Sequence, residues 1–136
     1  MPSSIPELTE AEWAIMKAVW AAEPCAAPTV QEALVKSHAW TYSTVRTLMD
    51  RMVGKGFLTA EKIRNLTLYR TAVTRRQAQL GELRYALRHA FDGALKPMVE
   101  TLLSSEKLSA EELDELESMI AARRRSSPST ARKSKS

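Results

Sequence analysis

The sequence contains few of the residues from which catalytic and metal centres are built. Its 136 residues include one cysteine, Cys25, and two histidines, His38 and His89, that lie far apart in the chain. A single cysteine excludes an intramolecular disulfide framework, a thiolate zinc cluster and a CxxC redox motif. None of the four glycines belongs to a dinucleotide-binding or P-loop phosphate motif. The composition therefore favours a protein that is not an enzyme and holds no metal or cofactor, with Cys25 as a packing residue and both histidines as surface residues.

Long apolar runs are also missing. No stretch approaches the ~18 residues that a membrane span needs. The first six residues lack the basic start and apolar core of a signal peptide. With 44% apolar and 26% charged residues, the composition is that of a globular protein. We expect a cytoplasmic protein that does not enter a membrane.

The net charge of +4 is distributed unevenly along the chain. Residues 1–76 carry a net charge of +3, residues 77–120 carry −5, and residues 121–136 carry +6. Basic segments attract phosphate polyanions, which an acidic segment repels. The charge distribution predicts that the front of the chain and its acidic middle have different roles.

Two capping-box patterns predict the first two helices. Thr9 with Glu12 opens the first, which places three large side chains on one face: Trp13, Met16 and Trp20. Thr29 with Glu32 opens a shorter helix that extends to about Lys36. We expect the inward residues of the second helix to be Val30, Ala33 and Leu34.

The third predicted helix, from about Tyr42 to Lys55, has two contrasting faces. Its apolar residues follow i, i+3, i+4, i+7 spacing and form an inward stripe: Val45, Leu48, Met49 and Met52. The opposite face carries hydroxyl and charged residues: Ser43, Thr44, Arg46, Thr47, Asp50 and Arg51. Short hydroxyl side chains allow close approach to a DNA groove, and arginine binds guanine or phosphate in bidentate fashion. The alternative is an ordinary solvated helix face.

A strand pair follows the third helix. Thr41 is the expected N-cap of that helix and Gly56 its left-handed C-terminal residue. Strands are predicted over residues 57–63 and 66–73, joined by a turn at Arg64 and Asn65. Three helices followed by a two-stranded ribbon predict a winged helix-turn-helix domain over residues 8–76, after an N-terminal extension of residues 1–7. The basic residues Lys62, Arg64 and Arg70 lie where such a wing would meet the DNA backbone.

The second half is predicted to be helical, so the fold class is mainly α. Residues 77–122 carry apolar residues at helical spacing: Leu80, Leu83, Leu87, Phe91, Met98, Leu102, Leu113, Leu116 and Ile120. A segment of this length cannot bury enough surface alone, which predicts a helical dimerisation domain with a two-fold interface. The alternative is an arm that folds back on the winged helix of a monomer. Residues 123–136 have no large apolar side chain and are predicted to be a disordered basic tail.

The sequence resembles the penicillinase repressor (BlaI/MecI/CopY) family of transcriptional regulators. The resemblance extends from Leu8 to Ala122, and these stretches carry it: LTEAEWAIMKAVW, VQEAL, WTYSTVRTLMDRMVGKGFL, LYRTAVTR, FDG and SEKLSAEELDEL. It implies a cytoplasmic homodimeric repressor whose third helix and wing bind an inverted-repeat operator in double-stranded DNA. The positions matching the groove-facing stretch of the family are Ser43, Thr44, Arg46 and Thr47. Candidates for phosphate contacts are Thr41, Arg51, Lys55 and Arg64.

The sequence departs from its relatives at two regulatory features. A sensor protease cuts the antibiotic-responsive members at an Asn-Phe pair, where this chain has Thr101-Leu102. A sensor protease is therefore a candidate partner only with a different cleavage preference. The C-terminal cysteine motif of the copper-responsive members is absent. An alternative function is a winged-helix protein-interaction adaptor without specific DNA binding, for which an acidic or apolar third-helix face is expected.

Overall fold

A computed structural model describes residues 6–126, and within that range the chain forms six helices and one two-stranded sheet. The elements are α1 (Glu10–Ala22), α2 (Ala27–His38), α3 (Tyr42–Lys55), β1 (Leu58–Ile63), β2 (Leu66–Thr71), α4 (Arg75–Phe91), α5 (Leu95–Ser105) and α6 (Ala110–Ser126). The chain divides into two compact units after Asp92. The first unit contains α1 to α4 and the hairpin, and the second contains α5 and α6.

Helix α1 begins with the predicted capping box. The Thr9 hydroxyl accepts from the Glu12 amide, and the Glu12 carboxylate accepts from the Thr9 amide. The buried face carries Ile15, Met16 and Val19. Trp13 and Trp20 are half-buried, and their ring centres lie 6.1 Å apart. An indole N–H requires an acceptor, which favours a position at the rim of the core.

Helix α2 begins earlier than predicted. Its first residue is Ala27, and Pro28 occupies the first turn, where a missing backbone N–H costs nothing. Thr29 therefore lies inside the helix and is not its cap, so the second predicted capping box was wrong. The helix continues to His38 and ends at Ala39, which has a left-handed backbone with φ of 52°. Of the predicted inward residues, Ala33 is exposed.

Helix α3 matches its predicted bounds. The Thr41 side chain caps the first turn by accepting from the Thr44 amide, and Gly56 ends the helix with φ of 87°. Three side chains of the inward stripe are fully buried: Val45, Met49 and Met52. Because these residues pack into the core, the hydroxyl and arginine face is left outside.

The hairpin forms an antiparallel wing that pairs Leu58 with Thr71 at its base. Arg64 adopts a left-handed conformation in the turn, with φ of 60°. At the base, Tyr69 exchanges two backbone hydrogen bonds with Cys25, of 2.8 and 3.1 Å. The Glu23 carboxylate accepts from the Thr71 amide at 2.7 Å. The segment between α1 and α2 therefore holds the wing by its base, and Cys25 is buried as expected.

Helix α4 belongs to the first unit, whereas the predicted domain boundary followed residue 76. Its Ala78 and Gly81 are buried. Glu82 accepts from the indole of Trp13, and Arg88 forms an ion pair with Glu7. These contacts place α4 with the helices that precede it.

The second unit is a helix pair whose residues are mostly exposed. Pro97 lies in the first turn of α5, and Ser109 caps α6 by accepting from the Glu112 amide at 3.0 Å. Neither helix contains a buried residue. The prediction of disorder from residue 123 was wrong for Arg123–Ser126, which extend α6. Arginine is a good helix former, and positive charge near a helix C-terminus is favourable. Residues 127–136 of the predicted tail lie outside the described range.

Candidate nucleic-acid interface

The exposed face of α3 presents a group of hydroxyls that contact one another. Thr41, Ser43, Thr44 and Thr47 are all exposed. The Thr41 hydroxyl lies 3.3 Å from that of Ser43 and donates to that of Thr44 at 3.1 Å. It also accepts from the Thr44 amide. The capping interaction that starts the helix thus sets the positions of the first hydroxyls on this face.

A shallow depression of about 230 Å³ lies on the same face. Its lining residues are Ser43, Thr44, Thr47, Leu48 and Arg51. Hydroxyls hydrogen-bond to several base edges, an apolar side chain packs against a thymine methyl group, and a guanidinium binds a phosphate or guanine. The structure brings together three of the four predicted base-contacting residues and one predicted phosphate contact. We call the outward-facing set the α3 ridge; it comprises the exposed residues Thr41, Ser43, Thr44, Thr47 and Arg51 and the half-buried Arg46.

Arg46 is held by side chains of its own unit. Its Nε donates to Asp50 Oδ2 at 3.2 Å, and its Nη1 donates to the Tyr42 hydroxyl at 3.2 Å. The guanidinium carbon lies 6.0 Å from the centre of the Tyr69 ring. The hydrogen bond to Tyr42 and the negative charge of Asp50 raise the pKa of Arg46. Arg46 is therefore a permanent cation with a defined orientation.

Lys55 is engaged in a different interaction. Its ammonium group donates to Glu12 Oε2, and the Glu12 side chain is only 6% exposed. Burial by itself raises the pKa of Glu12, but the Lys55 and Thr9 hydrogen bonds outweigh burial and leave the pKa below its ordinary value. The structure thus places Lys55 in an ion pair that joins the end of α3 to the start of α1, and its charge is largely compensated there.

The wing presents three exposed cations. Lys62 and Arg64 lie at its tip, and Arg70 lies on β2. Arg64 is held at the turn by its left-handed backbone. Exposed cations on an open hairpin are suited to contact with a phosphate backbone.

Sequence reasoning missed the residues that hold Arg46. Tyr42, Arg46 and Asp50 are spaced at i, i+4, i+8, the spacing of neighbours on one helix face, so two of the contacts had a sequence signal. Tyr69 had none, because it lies on β2 and reaches Asp50 only in the folded domain. Its hydroxyl donates to Asp50 Oδ1 at 2.9 Å. Burial and the interaction with Asp50 raise the pKa of Tyr69 to about 12.

Other site classes are not observed in residues 6–126. No three His, Cys, Asp or Glu side chains in this range are grouped closely enough to hold a metal ion. No helix in the described part of the chain has the length and apolar character to cross a membrane. Burial raises the pKa of the Cys25 thiol, which keeps it protonated at neutral pH.

The predicted dimer-interface residues remain largely uncovered. Six are exposed: Leu80, Leu83, Leu102, Leu113, Leu116 and Ile120. Three are half-buried: Leu87, Phe91 and Met98. Other apolar side chains of the second unit are exposed too, namely Leu95, Val99, Leu103 and Met119. Each unit therefore carries apolar surface that its own residues do not cover.

The sequence model of one protein family, described as penicillinase repressor, matches residues 8–122. The chain belongs to the penicillinase repressor family. This confirms the family predicted from the sequence stretches between Leu8 and Ala122. The order of three helices and a hairpin confirms the predicted winged helix. Members of this family are transcriptional repressors and not enzymes. This chain is therefore a transcriptional repressor.

Individual members of the penicillinase repressor family cover most of the chain. The methicillin resistance regulatory protein MecI of Mammaliicoccus sciuri is 25% identical over 114 residues, which are 84% of this chain and 93% of MecI. The penicillinase repressor of Bacillus licheniformis is 28% identical over 112 residues, covering 82% of this chain and 88% of the relative. A solution structure of monomeric B. licheniformis BlaI with the blaP half-operator has 26% identity and a TM-score of 0.47, and covers 54% of this chain and 90% of that one.

Proposed function

We propose that the chain is a cytoplasmic, homodimeric repressor that binds an inverted-repeat operator in double-stranded DNA. The α3 ridge of each subunit enters the major groove, and the wing lies along the backbone. The observation that carries the proposal is the composition of the outward α3 face, where hydroxyls and arginines lie opposite the fully buried side chains of Val45, Met49 and Met52. Such a face fits the edges of bases and the charge of phosphates.

The ridge divides into two classes of contact. Ser43, Thr44, Arg46 and Thr47 are assigned to base edges and determine which sequence is bound. Thr41, Arg51 and the wing residue Arg64 are assigned to phosphates and determine affinity and register. Lys55 was a candidate for the second class, but its pairing with Glu12 supports a structural role instead.

Dimerisation is proposed because the apolar helix faces lack a cover. The uncovered leucines of α5 and α6 include Leu102, Leu113 and Leu116. Burying each leucine side chain contributes about 1.5–3 kcal/mol, so covering these faces with a second copy of the chain favours a dimer. Two linked winged helices then bind two half-sites at high effective concentration. Half-site centres should be separated by about one DNA turn, roughly 10 bp, or a multiple of it.

The alternative of a protein-interaction adaptor is not supported by the face of α3. That function was expected to replace the hydroxyls and arginines with acidic or apolar residues, and the exposed face retains them. Release by a sensor protease remains a prediction. Thr101 and Leu102, which stand where relatives have the cleavage pair, are exposed residues within α5.

The test is to select bound duplexes from a random pool and measure binding of wild type and variants to the selected sequence and to random DNA. Thr44→Ala and Arg46→Ala should reduce the preference for the selected sequence, since each base contact discriminates by about 1–3 kcal/mol. Arg84→Ala is the matched control, because it removes one exposed positive charge from α4. If the ridge variants keep the full preference, or if no sequence is enriched, the assignment of the ridge is wrong.

A further inference from the structure

Asp50 and Tyr69 form a connection between the α3 ridge and the core. Asp50 Oδ2 accepts from Arg46 Nε, and Asp50 Oδ1 accepts from the Tyr69 hydroxyl at 2.9 Å. Tyr69 is fully buried, and its backbone forms two hydrogen bonds with the backbone of Cys25. A side chain on the exposed face is thus connected through two hydrogen bonds to one of the most buried residues of the domain.

We propose that Asp50 and Tyr69 are positioning residues that set the orientation of the Arg46 guanidinium and thereby the base preference of the ridge. The inference rests on the proposed function, in which Arg46 contacts bases. Asp50 and Tyr69 would thus influence which DNA sequence is bound without contacting the DNA themselves.

The geometry determines which edge of Arg46 is offered to DNA. Arginine binds guanine through two parallel N–H groups, either Nε with Nη2 or Nη1 with Nη2. Nε is engaged by Asp50, and Nη1 has one of its two hydrogens directed to Tyr42. Within the described residues, Nη2 has no acceptor. The edge that remains is Nη1 with Nη2, at the far end of the side chain.

Asp50 alone is not a firm support. Its side chain is 54% exposed, and an exposed i,i+4 ion pair contributes little because water screens the charges. The hydroxyl of Tyr69 supplies the second fixed point, because it donates to Asp50 Oδ1 from a fully buried residue. Arg46 Nε donates to Oδ2 at 3.2 Å and to Oδ1 at 3.4 Å, and the Tyr69 hydroxyl donates to Oδ1, so the carboxylate cannot rotate without losing its hydrogen bond to Tyr69.

The arrangement also limits the effect of Asp50 on DNA. A carboxylate beside a groove repels phosphates. Here its charge is paired with Arg46 and its oxygens are occupied. Asp50 therefore positions the arginine and reduces its attraction for any phosphate, which favours discrimination over nonspecific affinity.

Tyr69→Phe in the full chain tests the proposal, because it removes one hydroxyl and keeps the buried ring. The preference for the selected sequence over random DNA should fall roughly three- to tenfold, which corresponds to the net contribution of about one hydrogen bond. Affinity for random DNA and its salt dependence should stay unchanged. Tyr85→Phe is the matched control, since it removes the hydroxyl of an exposed tyrosine on α4.

NMR of the Arg46 Nε–H provides a second measurement that is independent of DNA. In the free wild-type protein, this proton should give a sharp, slowly exchanging signal because Asp50 accepts from it. Tyr69→Phe should broaden the signal and speed its exchange, whereas a purely structural role would lower the melting temperature and leave the signal unchanged. Asp50→Asn provides the same test should Tyr69→Phe fail to fold, and it should also raise affinity for random DNA.

The outcomes distinguish the positioning role from the proposed function. If Arg46→Ala lowers the preference while Tyr69→Phe and Asp50→Asn leave both preference and signal unchanged, the positioning role is refuted and the proposed function stands. If Arg46→Ala leaves the preference intact, the assignment of Arg46 to a base contact fails first. A drop in preference together with a broadened signal supports the proposal.

Discussion

Replacing Lys55 with alanine should destabilise the winged helix and leave its contacts to DNA intact. The Glu12 carboxylate is almost fully buried and accepts from the Lys55 ammonium and the Thr9 amide. Removing Lys55 leaves a buried charge with one partner. Breaking a fully buried pair costs about 3–5 kcal/mol, but Lys55 itself is half-exposed, so water offsets part of the loss and we expect about 1–2 kcal/mol.

The assay is thermal unfolding at neutral pH, with Lys62→Ala as the matched control. For a domain of this size, 1 kcal/mol corresponds to about 4–8 °C, so the melting temperature should drop by roughly 5–15 °C. Lys62 is exposed at the wing tip, and its replacement should shift melting far less. Equal melting of the Lys55→Ala variant and the wild type would show that the pair contributes nothing.

The pH dependence of the same comparison has a defined sign. The pKa of Glu12 is lowered in the folded protein, so the pair stabilises the fold above the ordinary value of 4.5. This contribution disappears as the pH falls through the folded pKa. The difference in stability between wild type and Lys55→Ala should therefore shrink in acid. A difference that widens below that pH contradicts the reasoning.

Three further predictions concern the wing, the dimer and the wing base. Arg64→Ala should weaken binding to all duplexes about equally, because one cation no longer neutralises a phosphate. The slope of log affinity against log salt concentration should fall by about one. Weaker binding to one sequence alone would assign Arg64 to a base. Leu102→Glu should convert the proposed dimer to monomers, because a charge would be buried in the interface. Analytical ultracentrifugation at micromolar concentration measures this, and a wild type that is already monomeric refutes the proposed assembly. Glu23→Ala should cost about 1 kcal/mol and speed hydrogen exchange of the Thr71 amide, and unchanged exchange would mean that Glu23 does not anchor the wing.

Local signals predicted α3 almost completely. Its apolar stripe, the Thr41 cap and the left-handed Gly56 are all determined by residues within a few positions of one another, and the structure confirms each. The same kind of signal failed at Thr29, because Pro28 starts α2 earlier than the capping-box pattern suggested. At this helix start, the capping-box pattern at Thr29 competes with Pro28. The fixed backbone of the proline determines where α2 begins.

Long-range partners could not be predicted. Lys55 was assigned to phosphate because nothing near it in the sequence indicated that Glu12, in α1, would accept from its ammonium group. Asp50 was only a charge on a helix face until β2 brought Tyr69 beside it. The residue types on the outward face of α3 predicted the chemistry of the ridge. Whether each charged group is free to contact DNA depends on packing between elements that are distant in the sequence.

The wing is fixed at its root, the base of the hairpin, and free at its tip. Its root is held by the main-chain pairing of Tyr69 with Cys25 and by the Glu23 carboxylate on Thr71, while the tip around Arg64 extends into solvent. Residues inserted at the turn would lengthen the reach by about 3.3 Å per residue added to each strand and leave the root undisturbed. The length of the wing can therefore change at its tip, whereas changes at the root would alter the angle of the whole hairpin.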